Sequence, residues 1–249
     1  MLLLALGIGA TTAVFTVVNA VLIKPLPYPD AERLMSLEHT VPGVSAGELI
    51  SMSAALLSTY LDENRTFQQM GIWSRGIVSI TGDREPEEIK NLFVSHGTLP
   101  ALGVQPMLGR WFAPEDHTLG SPETAILMYG YWQRRYGGDS SVVGRQVTVN
   151  SRPRTIVGVM PQRFQFLNET PEIVLPFQFE PGDLTLGRFN YDGLARLAPT
   201  ATVEEANADV ARMLPIWLHT WPPFPGMERT WFEKARLTPA LRPLKEAVV

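Results

Sequence analysis

The residue types that carry covalent or metal chemistry are sparse in this chain and poorly spaced for it. There are no cysteines, which removes disulfides, cysteine zinc sites and thiol nucleophiles in one step. The four histidines, His39, His96, His117 and His219, are far apart and form neither HxxxH nor HExxH, so each reads as a surface or structural histidine. Glu115-Asp116-His117 is the densest polar cluster. It sits in a Pro/Gly-bounded loop and could hold a cation, although a solvated loop is the simpler reading. Ser95-His96 and Ser151-Arg152 lack a partner base at a recognisable spacing, and no GxSxG occurs. Gly7-Ile8-Gly9 could suggest a phosphate cradle, but it lies within an apolar stretch with no strand before it. None of Lys24, Lys90, Lys234 and Lys245 follows a glycine, so there is no P-loop. The six tryptophans could form a ligand platform, with core packing the simpler account. These residues point to no catalytic group, no cofactor and no metal. Binding, assembly or force transmission suits them better than catalysis.

Charge narrows the partners. The net charge is −4 and no basic run occurs, which argues against nucleic acid. Of 249 residues, 45% are hydrophobic and 18% charged, an ordinary globular balance apart from the start of the chain.

That start is Met1–Ile23 (MLLLALGIGATTAVFTVVNAVLI), uncharged throughout. A bilayer core about 30 Å thick needs roughly 20 apolar residues as a helix, so this stretch is read as a membrane helix. A cleaved signal peptide and a buried core helix are the competing readings. The first lacks a basic leader and a good cleavage site, and the second normally has a shorter apolar run. Ala5, Gly9 and Ala13 recur every four residues and give one helix face on which another membrane helix can pack closely. Thr11, Thr12, Thr16 and Asn19 could hydrogen-bond to that neighbour. Lys24-Pro25-Leu26-Pro27-Tyr28-Pro29 then ends the helix. Alternating prolines forbid helix, favour an extended exit and stiffen a helix-to-domain joint at Lys24, Pro25, Pro27 and Pro29.

The rest supplies elements for a sizeable core. Arg33–His39 alternates as a strand and 41–47 reads as a loop. Apolar spacing predicts a helix at about 51–64, and β-rich stretches over 70–95 predict a hairpin turning at Gly82-Asp83. His96–Leu102 reads as a short helix closed by Gly103. A strand at Thr124–Met128, an aromatic helix at Tyr129–Tyr136, a hairpin with a longer loop across 145–160 and a strand at Glu172–Pro176 follow. Arg188–Leu197 alternates again. A helix capped near Thr202, with Glu204 and Glu205 in its first turn, precedes an extended stretch at Trp231–Leu244. The order predicts an α+β fold. Residues 24–110 and 188–249 form one split α/β domain, an open sheet with helices on one side, and 111–187 form an inserted, smaller, β-rich subdomain.

At this point the residues resemble a family. LALGIGATTAVFTVVNAVLIKPLPYPDAERL is similar to the start of MacB/FtsX-like ABC transporter permeases, especially the duplicated orphan permeases abundant in acidobacteria. The resemblance continues through Leu92–Ser95, Leu102-Gly103-Val104-Gln105-Pro106 and Leu108-Gly109-Arg110. It runs on through Tyr131–Asp139, Val143-Gly144-Arg145, Val157-Gly158-Val159-Met160-Pro161 with Phe164, Arg196-Leu197 and Glu204–Ala206. Gly9-Ala10-Thr11-Thr12 and Arg196-Leu197-Ala198-Pro199-Thr200 depart from the usual Gly-Ala-Asn-Thr and Arg-Leu-Lys-Pro-Gly. The resemblance implies a periplasmic core domain with a porter-like split part, carried by the first membrane helix of a bacterial inner-membrane permease. It also implies partners: the bilayer, a separate ABC ATPase, and a second permease half or homodimer partner. Such permeases carry further membrane helices, so it implies a fragment. The function implied is transmission of ATPase-driven motion to an extracytoplasmic domain for export or efflux. An anchored binding or assembly module without transport is the alternative.

Overall fold

The computed structural model describes residues 25–82 and 85–248. The expected membrane helix, with its Ala5, Gly9 and Ala13 face, and Lys24 of the joint lie outside the described residues. Among the described residues, no helix is long and apolar enough to cross a membrane.

After a 3-10 turn at Ala31–Arg33 come β1 (Leu34–Ser36), β2 (His39–Val41), β3 (Ser45–Ile50) and α1 (Ala54–Glu63). The antiparallel pair β4 (Phe67–Thr81) and β5 (Glu87–Val94) leads to α2 (Thr98–Leu102). Next are β6 (Leu108–Gly109), β7 (Thr124–Leu127), α3 (Tyr129–Tyr136), β8 (Gln146–Val149), β9 (Arg152–Val159) and β10 (Ile173–Pro176). The chain continues through β11 (Asp192–Leu197), α4 (Val203–Thr220), α5 (Arg229–Ala235), β12 (Thr238–Pro239), β13 (Arg242–Pro243) and α6 (Leu244–Val248).

The result is a mixed α+β fold around one large sheet. Ten strands pair in the order β13-β1-β11-β4-β5-β10-β7-β9-β6, and β8 pairs with both β4 and β9. The β5–β10 and β7–β9 pairings are parallel. A small second sheet has the order β12-β2-β3. Successive residues of a strand face opposite sides. Met70 and Ile72 of β4 therefore join a core with Leu56 and Tyr60 of α1 and Met213 and Trp217 of α4. Trp73 joins a different core with Leu99 and Leu102 of α2. Helices thus cover both faces at this end of the sheet, not one as the pattern predicted. A third core, around Val78, Ile80, Ala125 and Leu127, packs under Tyr131 and Trp132 of α3.

Local chemistry explains the element ends. Ser53 Oγ accepts from Leu56 N at the start of α1. Thr202 and Glu205 form a reciprocal capping box at α4: Thr202 Oγ1 accepts from Glu205 N at 3.2 Å, and the Glu205 carboxylate accepts from Thr202 N at 2.9 Å. Gly103 ends α2 in the left-handed region at φ 73°.

Four expectations give way. The 33–39 stretch is not one alternating strand. Leu34, Met35 and Ser36 are all buried, because both faces of β1 are covered, Leu34 entering one core and Met35 the other, and the chain then crosses to the small sheet. Residues 45–50 form β3, an edge strand whose largely exposed residues carry no apolar alternation. The 145–160 hairpin turns tightly at Asn150-Ser151, both at positive φ (48° and 65°), and Pro153 stands inside β9. That proline is tolerated because β9 pairs with β7 only from Thr155 onward. The Trp231–Leu244 stretch begins inside α5, which is only seven residues long, follows three prolines and is too short to declare a period.

α2 sits directly on β4. A Cβ at Gly97 would lie 2.0 Å from the Met70 carbonyl oxygen, and one at Gly71 would lie 2.3 Å from Thr98 Oγ1. Gly97→Ala is therefore expected to destabilise the domain by about 2 kcal/mol or more, since backbone cannot yield as a side chain can. Urea unfolding followed by tryptophan fluorescence checks this; an unchanged midpoint contradicts the packing.

Candidate functional site

The best-built polar arrangement lies where the leading segment meets the domain. Pro25, Pro27 and Pro29 are exposed, Leu26 packs on a core and Tyr28 is buried. Prolines carry carbonyls but no N–H, so this stretch has spare acceptors and few donors. Two side chains resolve the imbalance. Arg196 of β11 is buried and faces backbone carbonyls. It donates to Pro29 O at 2.8 Å, Asp30 O at 3.0 Å and Ala101 O at 2.7 Å, joining the joint, β11 and α2. Burial, and then neighbouring Arg33, pull its pKa below the usual arginine value. Tyr28 Oη donates to Gln165 O and accepts from Leu167 N, each at 2.7 Å. Burial pushes the phenol up to about 12, although the Leu167 N–H opposes this.

The loop that Tyr28 grips is itself anchored. Phe166 is fully buried, edge-on to Trp73 at 5.1 Å, and Leu167 lies at φ 51°. Arg75 joins Glu169 at 2.7 Å and Asp192 at 3.3 Å, and its guanidinium lies 5.5 Å from the Trp73 ring centroid. Asn168 Nδ2 donates to Val248 O of α6, and Leu244 of α6 is buried in the same core as Tyr28. Beside α6, Arg242 grips Glu38 through two nitrogens at 2.7 and 3.1 Å. One loop, 165–168, therefore holds both the leading segment and α6. A cavity of about 220 Å³ separates parts of them, lined by Trp73, Arg75, Glu169, Asp192 and α6 residues.

The other sequence candidates resolve differently. Asp116 is not in a solvated loop: it is buried, paired with Arg110 at 2.5 Å and accepts from Ala113 N at 2.7 Å. Burial raises its pKa, but these donors outweigh that and hold it below the carboxylate range. Ser95 Oγ accepts from Ile72 N at 2.9 Å, which makes it a strap to β4. The fold brings His96 and His117 together, edge to face at 5.8 Å, which spacing along the chain did not indicate. Among the described residues, no group of three His, Cys, Asp or Glu could hold a metal ion. Trp73, Trp132 and Trp217 are core residues. Pro25, Pro27 and Pro29 are exposed on the leading segment, and sequence reasoning passed over Tyr28 and Arg196 beside them. A tyrosine between prolines, and an arginine within an apolar alternating strand, were the available signals.

Fold and joint define the class: a mixed α/β domain whose leading segment and last helix are fastened through one loop. The MacB-like periplasmic core domain profile matches residues 1–213, and the chain belongs to that family. Solved structures share the fold. A domain assigned to a permease of Porphyromonas gingivalis is 20% identical with a TM-score of 0.61, over 87% of this chain and 92% of that one. The periplasmic region of MacB from Actinobacillus actinomycetemcomitans is 13% identical with a TM-score of 0.56, over 82% and 92%. The extracellular domain of the noncanonic ABC-type transporter YknZ from Gram-positive bacteria is 14% identical with a TM-score of 0.50, over 72% and 91%. No curated protein sequence matches significantly. The chain is thus a periplasmic-type domain of the MacB/FtsX-like ABC permease family.

Two outcomes test the geometry. Tyr28→Phe keeps the ring but leaves Gln165 O and Leu167 N without their partner, and should cost about 1–3 kcal/mol in urea unfolding. An unaltered midpoint contradicts the bridge. The second concerns acid. His39, bonded to Tyr60 Oη at 2.6 Å, and His117, bonded to Phe177 O at 3.0 Å, are both lowered to about 4, chiefly by burial. Their ordinary value is about 6.5, so the stability they contribute is complete above about pH 6.5 and is lost as pH falls through about 4. His117→Gln should flatten that fall in a series of urea midpoints against pH; an equally steep fall contradicts the assignment.

Proposed function

We propose that this chain is the extracytoplasmic domain, with the first membrane helix, of a bacterial inner-membrane ABC permease. In this reading a separate ABC ATPase drives motion through the helix at 1–23, across the joint at Lys24, Pro25, Pro27 and Pro29, and into the domain for export or efflux. Ala5, Gly9 and Ala13 form the face on which that helix packs against another helix of the bundle. The permease acts with a second permease half or as a homodimer. Within the domain, 24–110 and 188–249 act as the porter-like part and 111–187 as an inserted subdomain, so motion at the joint reaches the insert through Tyr28 and the 165–168 loop. No catalytic residue, cofactor or metal is required of the chain itself. The observation that carries the reading is the fastening of leading segment and α6 to one loop.

The test is made on the full gene product in proteoliposomes. It should co-purify with a P-loop ATPase and stimulate its turnover. Pro27→Gly frees the joint's backbone and should reduce that stimulation about two- to fivefold, the equivalent of about 0.4–1 kcal/mol of lost preorganisation. The complex itself should remain intact. Absence of any ATPase complex would sink this reading and leave the anchored binding or assembly module.

A further inference from the structure

Away from the joint, a cleft of about 580 Å³ opens beside the ends of β5 and β10 and the β8–β9 turn. Its size falls within the range of about 300–1,000 Å³ usual for small-molecule sites. Two kinds of wall meet in it. One is aromatic. Phe93 and Phe177 are half-buried, line the cleft and stack at 5.6 Å and 22°. Phe177 also stacks on Phe179 at 4.9 Å and 22°, which supports the aromatic wall from outside the cleft lining. The exposed Leu119 adds apolar surface at the rim.

The other wall is cationic. Arg152 and Arg154 share a single carboxylate, Glu123, at 3.0 and 2.6 Å. Arg154 is nearly buried, and its Nε–H has no acceptor. Arg152 is largely exposed and reaches Glu123 through one nitrogen, so most of its donor fork is open. The pair is one negative charge short. The second acid at the cleft, Glu180, is exposed to solvent, where its repulsion is screened.

We propose that this cleft binds an aromatic monocarboxylate. The flat apolar body packs against the Phe93–Phe177 wall, and the carboxylate takes the free donors of Arg152, with Arg154 behind it. A neutral aromatic compound uses only the first wall. An aliphatic acid uses only the second. An aromatic cation meets the arginine pair and is repelled. The site stands on this geometry and does not rest on the transport reading.

Photolabelling tests it on the full chain in membranes, with 4-benzoylbenzoate as the acidic probe and 4-methylbenzophenone as its neutral partner. Mapping the adducts by mass spectrometry separates the cleft from mere partition into lipid. The acid should label peptides containing Phe93, Leu119 or Phe177 about tenfold more than the neutral probe does, the factor expected of one charged hydrogen-bonded contact. Arg152→Gln, at an exposed position that leaves the fold intact, should remove most of that advantage, and Arg152→Lys should restore part of it. Equal labelling by both probes, adducts scattered over the surface, or acid labelling unchanged in Arg152→Gln would each overturn the proposal.

Discussion

Every layer of this domain takes its position from β4. Its 15 residues pair with β11 at the start, with β5 along most of their length and with β8 at the far end. At about 3.3 Å per residue the strand spans about 50 Å. Over Met70–Trp73 it is buried on both faces, because α1 and α4 cover one side and α2 the other. Full burial of a side chain such as Met70 or Ile72 is worth about 1.5–3 kcal/mol, so this short run is an energetic centre. Gly71 interrupts it because α2 approaches too closely for any side chain. Beyond Arg75 exposed and buried residues alternate, and the strand leaves the helix-covered half for the α3 core.

The joint solves a problem that its own composition creates. Three prolines stiffen the segment and remove its donors, and a carbonyl left unpaired against protein carries a penalty. A buried cation is costly too, unless it is fully hydrogen-bonded. Arg196 meets both needs: its fork is occupied by three carbonyls, two of them from Pro29 and Asp30. A lysine presents a point charge and could not reach three acceptors in one plane. Tyr28 does the corresponding work on the other side, with one hydroxyl as both donor and acceptor.

Much of the fold was legible because local signals agreed with tertiary ones. Tyr129–Tyr136 appears where the aromatic run and the Gly137-Gly138 stop place it, and α4 starts at the Thr202 cap. The 70–95 pair follows its β-branched composition. What stayed hidden is what the chain cannot encode locally. β1 loses its alternation because distant segments cover both of its faces, with Leu34 in one core and Met35 in the other. The pairing of His96 with His117 needs the 114–117 turn to fold onto the end of β5. The contacts of the leading segment were hidden in another way. Its prolines announce themselves by spacing, whereas the partners of Tyr28 and Arg196 lie up to 167 residues away.

That distance bears on how a displacement would spread. Apolar contacts slide past one another with little change in energy, but hydrogen bonds weaken steeply once angle and length depart from ideal. The joint holds to the 165–168 loop by two hydrogen bonds through one oxygen, so it cannot shift without moving the loop or losing both. The loop resists shearing, because Phe166 is locked against Trp73 and Glu169 is held by Arg75. Trp73 and Arg75 both belong to β4, so the strand that organises the core is also the floor on which the loop stands. A pull on the leading segment would thus load β4 and, through Asn168, α6 together, and α6 is held in turn by the Asn168 bond, by Leu244 in the core and by Arg242, which donates to Glu246 O. The leading segment and α6 therefore respond together, through the one loop that both of them grip.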